Sequence, residues 1–442
     1  MNQINIKNSL GLRITIIALL SLALLIPSFM LQVLIKERQE RRDVAVKEVF
    51  SKWGDKQIIA GPILSIPYRA YMEIEDRGKI STIKYMHILP NDMHVEGIVT
   101  PEIRYRGIYE AVLYNVALQI KGFFVGEEIE QGNINEDDII WNDSFIAVGI
   151  SDMKGIKDLV EIKWNDDILI SNPGIKTKDV LSSGISVKVP VSDAIQNYKF
   201  SFNLNINGSD DLEFTPIGKE TKVKLSSSWT NPSFSGEFLP ERRDINEDGF
   251  TAEWKILHLN RNYPQSWTGD EFDINKSTFG VRLLLPVDEY QKTMRTAKYA
   301  IMYIALTFLS FFMIELLNRK VIHPIQYLLI GFALLVFYTL LLAFSEHLIF
   351  KCAYLIASSA IIILIAGYTK SVLKDNIQTL LIFFLLIILY SYLYIVLQMQ
   401  DYALLLGSIA LFVILTVVMF VTRKIDWFSI FRTSGDNQVS EA

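Results

Sequence analysis

Glu315 closes an apolar stretch of this 442-residue chain, and it is the first place to look for chemistry. A carboxyl at membrane depth is costly and marks a proton-transfer or substrate site by default. The competing reading is that it reaches the interface and pairs with Arg319, one helical turn further on. His323, followed by Pro324, opens the next apolar stretch as a helix cap or as a ligand. Glu346 and His347 follow Ser345 in the next turn. A Glu beside a His suits proton shuttling or metal binding, but two adjacent residues do not converge on one ion, and three or more ligands are needed. The alternative is a polar hairpin turn. No HExxH occurs, so the sequence offers no metal site.

The second constellation is aromatic. Trp229, Phe234, Phe238, Phe250 and Trp254 crowd a stretch that also holds Pro232 and Pro240. Such a cluster forms core, or lines an apolar groove that takes lipid or peptide. Glu241, Arg242, Arg243 and Asp244 read as a paired surface patch beside it. No GxSxG, no Walker loop, no GxGxxG after a strand and no SxxK accompanied by SDN and KTG stands out. Hydrolase, ATPase and dehydrogenase readings therefore lack support, and no catalytic residue and no cofactor is expected. The single cysteine, Cys352, can form no internal disulfide.

The elements that position these residues divide sharply. Residues 14–35 contain no charged side chain, and that many helical residues reach about 33 Å, enough to cross a bilayer. The run is too long for a signal-peptide core and no small-residue cleavage site follows, so it reads as an uncleaved anchor that Pro27 kinks. Residues 36–53 continue as a juxtamembrane helix, with Val46, Val49, Phe50 and Trp53 on one face and Gly54 as its cap. Residues 54–295 change texture. Runs such as GISVKVPVS, YKFSFNLNING and FTAEWKIL alternate with period two and predict a β-dominated, mostly antiparallel domain of two sheets. Residues 207–211 (NGSDD) read as a turn.

Residues 296–422 predict five more membrane helices, near 299–317, 321–344, 352–368, 376–397 and 402–422, joined by short hairpins. With the anchor this makes six transmembrane helices, bracketed by polar ends at 1–13 and 423–442. Tyr299, Tyr303, Gln326, Tyr327, Tyr338, Ser358, Ser359 and Thr379 lie within the spans as candidate interhelical contacts. A pair of acidic residues at mid-bilayer depth, expected of an ion-coupled carrier, is absent. The hydrophobic share of 50%, the charged share of 21% and the mean hydropathy of +0.27 fit this division. The net charge of −5 and the lack of a basic tract exclude nucleic acid as an expected partner.

Short loops set the expected orientation. Arg319 and Lys320, Lys370 and Lys374, and Arg423 and Lys424 fall on one side, while the opposite loops carry Lys351 alone among basic residues. Both termini are thus expected in the cytoplasm and the β domain across the membrane. The domain's own basic flanks oppose this, but long segments translocate largely regardless of charge.

Several segments resemble one family: GPILSIPY (residues 61–68), SSSWTNPSFSGEFLPERRDINEDGFTAEW (226–254), AKYAIMYIALTFLSFFMIE (297–315), HPIQYLLIGFALLVFYTLLLAFSEH (323–347), ALLLGS (403–408) and MFVTRKIDW (419–427). Together they are similar to the CreD family of bacterial inner membrane proteins, also called cell envelope integrity proteins. The resemblance runs from the anchor to Trp427 and is least marked over residues 122–184. It implies inner-membrane localisation, a periplasmic β domain, a link to envelope stability and colicin tolerance, and membership of a two-component regulon that responds to carbon source or envelope stress. It carries over no catalytic residue. The expected function is a non-enzymatic inner membrane protein that supports envelope integrity, with membrane lipids around its helices and another envelope protein or a cell-wall component bound to its β domain. The alternative is a transporter or lipid-handling protein built on the C-terminal helices.

Overall fold

A computed structural model describes residues 10–74, 78–126, 134–192, 197–285, 289–318, 322–399 and 402–423. The segments quoted above fall within these, except that 419–427 is described only as far as Arg423. The chain forms two units, Asp43–Pro286 and the combination of Met1–Arg42 with Val287–Ala442.

The first unit is built of strands because its apolar residues alternate. Along Tyr198–Ser209, Tyr198, Phe200, Phe202, Leu204 and Ile206 are buried, while Lys199 and Asn203 face outward. Among the described residues there are two sheets. One runs Arg242–Asn246, Gly249–Leu257, Glu220–Ser227, Asp92–Arg106, Tyr109–Phe124, Tyr198–Ser209, Glu161–Trp164, Asp167–Ile170. The other runs Pro232–Gly236, Phe279–Leu283, Asp211–Phe214, Gln57–Ile74, Phe145–Ile150, Gly184–Lys188, Asn172–Pro173, with Gly78–Ile88 and Ser266–Thr268 added beside Gln57–Ile74. Pairing is antiparallel except at two places. Gln57–Ile74 meets Asp211–Phe214 in parallel, and Glu220–Ser227 meets Asp92–Arg106 in parallel. The NGSDD turn does not close a hairpin. Asp210, at φ 60°, passes the chain from one sheet to the other. Side chains from both sheets, such as Ile63, Phe145 and Val281 with Val95, Leu118 and Leu204, share one buried cluster.

The second unit is helical: α1 (Leu10–Ala23), α2 (Leu25–Trp53, which ends in the first unit), α3 (Glu289–Lys298), α4 (Ala300–Asn318), α5 (Pro324–Ser345), α6 (Phe350–Leu373), α7 (Asn376–Gln398) and α8 (Ala403–Thr422). α1 and α2 are separated only by Leu24. Pro27 explains the break, since it offers no N–H to the Ala23 carbonyl and its ring crowds that carbonyl. Among the described residues, five helices are long and apolar enough to cross a membrane, Arg13–Trp53 among them, and six if α3 and α4, bent by 44°, count as one span. α1 packs on α4 and α5 closely enough that a Cβ at Gly331 would lie 2.3 Å from Leu24. Successive helices α5, α6 and α7 pack as neighbours, whereas the apolar span of α8 buries none of its side chains against the protein.

Candidate functional site

The polar residues of the helical unit gather into two clusters of the same composition. Near the end of α4, the buried Glu315 accepts from Arg13 Nη1 of α1 at 2.9 Å and from the Tyr327 hydroxyl of α5 at 2.9 Å. Tyr327 is held edge-on by Phe308, at 5.4 Å between ring centroids. The carboxylate is thus met across helices by Arg13. The expected partner, Arg319, lies outside the described residues, as do Lys320, Lys424 and residues 425–442. At the other end of α5, Glu346 accepts from the Tyr290 hydroxyl of α3 at 3.0 Å and lies 3.9 Å from Arg38 Nη1 of α2. The Arg42 guanidinium sits over the Tyr290 ring at 5.4 Å. Each cluster therefore joins an anchor-helix arginine, a glutamate and a tyrosine hydroxyl. Arg13 and Arg38 stand about 37 Å apart along the helix, close to a bilayer thickness. A charge at each end, with Leu24 packed on Gly331 between, fixes the axial position of the anchor against the bundle.

The two histidines do different things. His323 caps α5: its Nδ1 accepts from the Ile325 N–H at 3.3 Å, and its own N–H donates to Gln326 Oε1 at 2.9 Å, with Pro324 at the first helical position. His347 is exposed in the turn after α5, where its N–H donates to the Phe344 carbonyl. Among the described residues, no group of three or more His, Cys, Asp or Glu side chains is placed to hold a metal ion.

Four of the five aromatic residues pack together in the β unit with Phe279, a residue outside their segment, while Trp229 is partly buried at the edge of the same core. Phe250 and Trp254 are buried, and Phe234 packs edge-on against both, at 6.0 and 5.7 Å. Phe238 and Trp254 meet Phe279 at 6.2 and 5.7 Å. The indole N–H of Trp254 donates to the Phe238 carbonyl, and that of Trp229 donates to the Asn231 and Leu284 carbonyls. These contacts fill the core and leave their indole donors satisfied.

Two further clusters of the β unit have no signal in the sequence. Asp211 accepts from Arg282 at Nε (2.5 Å) and Nη2 (3.0 Å) and from the Lys56 ammonium. Burial disfavours its charge, but the two cations outweigh burial and hold its carboxyl below the usual range. Ser65, His87 and Asp179 form a line: Ser65 Oγ lies 2.9 Å from His87 Nδ1, and His87 Nε2 lies 3.2 Å from Asp179 Oδ2. Cross-strand pairing of Ser65 with His87 puts both on one face of the sheet. The order imitates a hydrolase triad, but Ser65 and His87 are only 2% and 1% exposed, so no substrate reaches the hydroxyl. The line satisfies two buried polar groups, Ser65 and His87, and ends at Asp179, which is 30% exposed. Burial depresses the imidazole pKa, against the opposing pull of Asp179. Residues 65, 87 and 179 share no spacing that a reading of motifs would catch.

One solved structure shows a faint likeness. An M1 zinc metallopeptidase from Deinococcus radiodurans aligns over 38% of this chain and 38% of its own, at 10% identity and a TM-score of 0.19, too low to bear on the fold. Sequence comparison is decisive. The family model described as inner membrane protein CreD matches residues 9–428. Inner membrane protein CreD of Escherichia coli (strain K12) is 34% identical over 417 residues, which cover 92% of this chain and 91% of that protein. The chain belongs to the CreD family of inner membrane proteins.

Proposed function

We propose that this protein supports the integrity of the cell envelope without catalysis, by holding a periplasmic β unit at the inner membrane where that unit binds another envelope component. Both termini lie in the cytoplasm in this reading, as the basic short loops suggest. The observation that carries it is the surface of the β unit. Its interior is closed around the Ser65–His87–Asp179 line, while bulky apolar side chains such as Leu239 and Leu259 stand 70% and 79% exposed. Apolar groups held in water on a tethered domain suit contact with a partner, an envelope protein or a cell-wall component.

The test is complementation of a strain that lacks the protein, read as survival under detergent with a chelator. The full chain restores the barrier. The full chain carrying Leu239→Asp and Leu259→Asp accumulates normally but fails to restore it. A null strain with an intact barrier would overturn the envelope role, and full rescue by the double variant would overturn the binding surface. Protease added to spheroplasts should cut the β unit, and complete protection would reverse the orientation.

A further inference from the structure

The Arg–Glu–Tyr clusters leave a second set of buried tyrosines unexplained. Tyr303 of α4, Tyr338 of α5, Tyr354 of α6 and Tyr390 of α7 are each at least 95% buried within the helical unit. Successive helices run in alternating directions, so the beginnings of α4 and α6 and the ends of α5 and α7 lie at one end of the bundle. Measured from those ends at 1.5 Å per residue, the four residues sit about 5, 10, 6 and 12 Å deep, in one layer. Phe337 is packed by Tyr338, Tyr354 and Tyr390 at 4.9, 5.5 and 4.8 Å between centroids. The phenol groups of Tyr303, Tyr338, Tyr354 and Tyr390 are near enough to one another to interact electrostatically.

One of the four hydroxyls is accounted for: that of Tyr354 donates to the Tyr390 carbonyl at 2.7 Å. Among the described residues, no protein group hydrogen-bonds the hydroxyls of Tyr303, Tyr338 and Tyr390, which are not fully enclosed and keep a little open surface. One turn along α4 from Tyr303, the buried Thr307 Oγ1 likewise has no protein partner. A lone hydroxyl in a hydrocarbon-solvated bundle is costly, because bulk water is not there to pair with it. Phenylalanine would fill the same space without that cost, so three such hydroxyls in one layer point to a polar guest. Residues 301–311, 334–342, 353–365 and 382–394 contain no Asp, Glu, Lys, Arg or His. Lys292 is a cation at the bundle end, over the Phe350 ring. The layer thus presents hydrogen-bond donors without charge, which match a neutral oxygen acceptor and penalise an ion.

We propose that Tyr303, Tyr338 and Tyr390 form a hydroxyl-lined site inside the helical unit that holds a neutral acceptor oxygen, supplied by an ordered water or by the ester carbonyl of a lipid. The site is independent of the envelope role argued above. Its test compares the full-length protein in mild detergent with Tyr303→Phe, Tyr338→Phe, Tyr390→Phe and the triple variant. Filled hydroxyls make each substitution lower the melting temperature, by about 2 °C or more. If the triple variant fails to accumulate, the single variants decide. Native mass spectrometry with added palmitoyl-oleoyl-phosphatidylethanolamine separates the sources. Loss of a bound lipid mass by about tenfold in the substituted protein assigns the carbonyl. Equal lipid retention with a lowered melting temperature assigns water. Melting temperatures that stay level or rise on removal of the hydroxyls would show that they are dry and would overturn the site.

Discussion

Asp211 and Glu315 are the same kind of residue in two solvents. Their side chains are 6% and 4% exposed, and each is met by a cation far away in sequence. Asp211 lies where the β unit passes between sheets, and its partners Lys56 and Arg282 are themselves 47% and 41% exposed. Among the described residues, Glu315 has one cation, Arg13, and one phenol, Tyr327, within a bundle of helices apolar enough to sit in hydrocarbon. Remove Asp211, and both cations turn to water. Remove Arg13, whose own side chain is 24% exposed, and the buried Glu315 is left with a charge and little to solvate it. The same bond should therefore differ in worth between the units because its fallback differs.

The largest effect expected is at Arg13. Arg13→Ala should cost about 3–5 kcal/mol, the range found when one partner of a buried ion pair is deleted. It would be read as lost membrane abundance and a lower melting temperature in detergent. Replacing both partners, Arg13→Leu with Glu315→Leu, should return stability to near that of the native chain, since two apolar groups need no pairing. A single variant as stable as the parent would break the comparison. Asp211→Asn should cost less, about 1–3 kcal/mol, because Lys56 and Arg282 recover hydration. Its pH dependence sharpens the point. The native Asp211 carboxyl titrates below the usual range, so its contribution is complete above a pH of about 4 and is lost as pH falls through the lower folded value. Asp211→Asn should remove that acid-side decline.

Both kinds of element were legible in the sequence because each advertises a local period. The uncharged run before Lys36 and the alternation in YKFSFNLNING are patterns of neighbours, and burial follows them directly. The clusters were not, because the contacts that make them have no local pattern. Arg13 and Glu315 are separated by 302 positions, and Glu346 meets Tyr290 and Arg38 from three different helices. His323 was readable as a cap because its partners, Ile325 and Gln326, are within three residues. The aromatic segment was readable as a group but not by its packing, since Phe279 arrives from a strand well beyond it. Two parallel pairings escaped for the same reason: alternation fixes which face of a strand is buried, not the direction of its neighbour.

A subtler contrast opposes the His87 line to the Asp211 cluster, because their pH dependences arise at different pH values. Burial holds the folded His87 imidazole below its ordinary value of about 6.5. The unfolded chain therefore takes up the proton first, so stability is complete above that value and declines as pH falls from about 6.5 toward the folded pKa. Denaturation of the native chain and of His87→Gln, followed across this range, should show the slope in the first and its loss in the second. Parallel profiles would mean that the buried imidazole is not what titrates.

The smallest effect is expected at Lys188 and Asp143, which pair at 3.0 Å on the β-unit surface with both side chains 60% exposed. Lys188 holds the Asp143 carboxyl below its usual range, yet both ions are already hydrated and salt screens their attraction. Lys188→Ala should leave the denaturation midpoint unchanged within error, at low and at high salt. A measurable loss at low salt that vanishes at high salt would give this exposed pair a weight that the argument reserves for pairs without access to water. The ranking from Arg13 through Asp211 to Lys188 is thus a ranking by fallback solvation, and it is this pair at the wet extreme that can contradict it most cheaply.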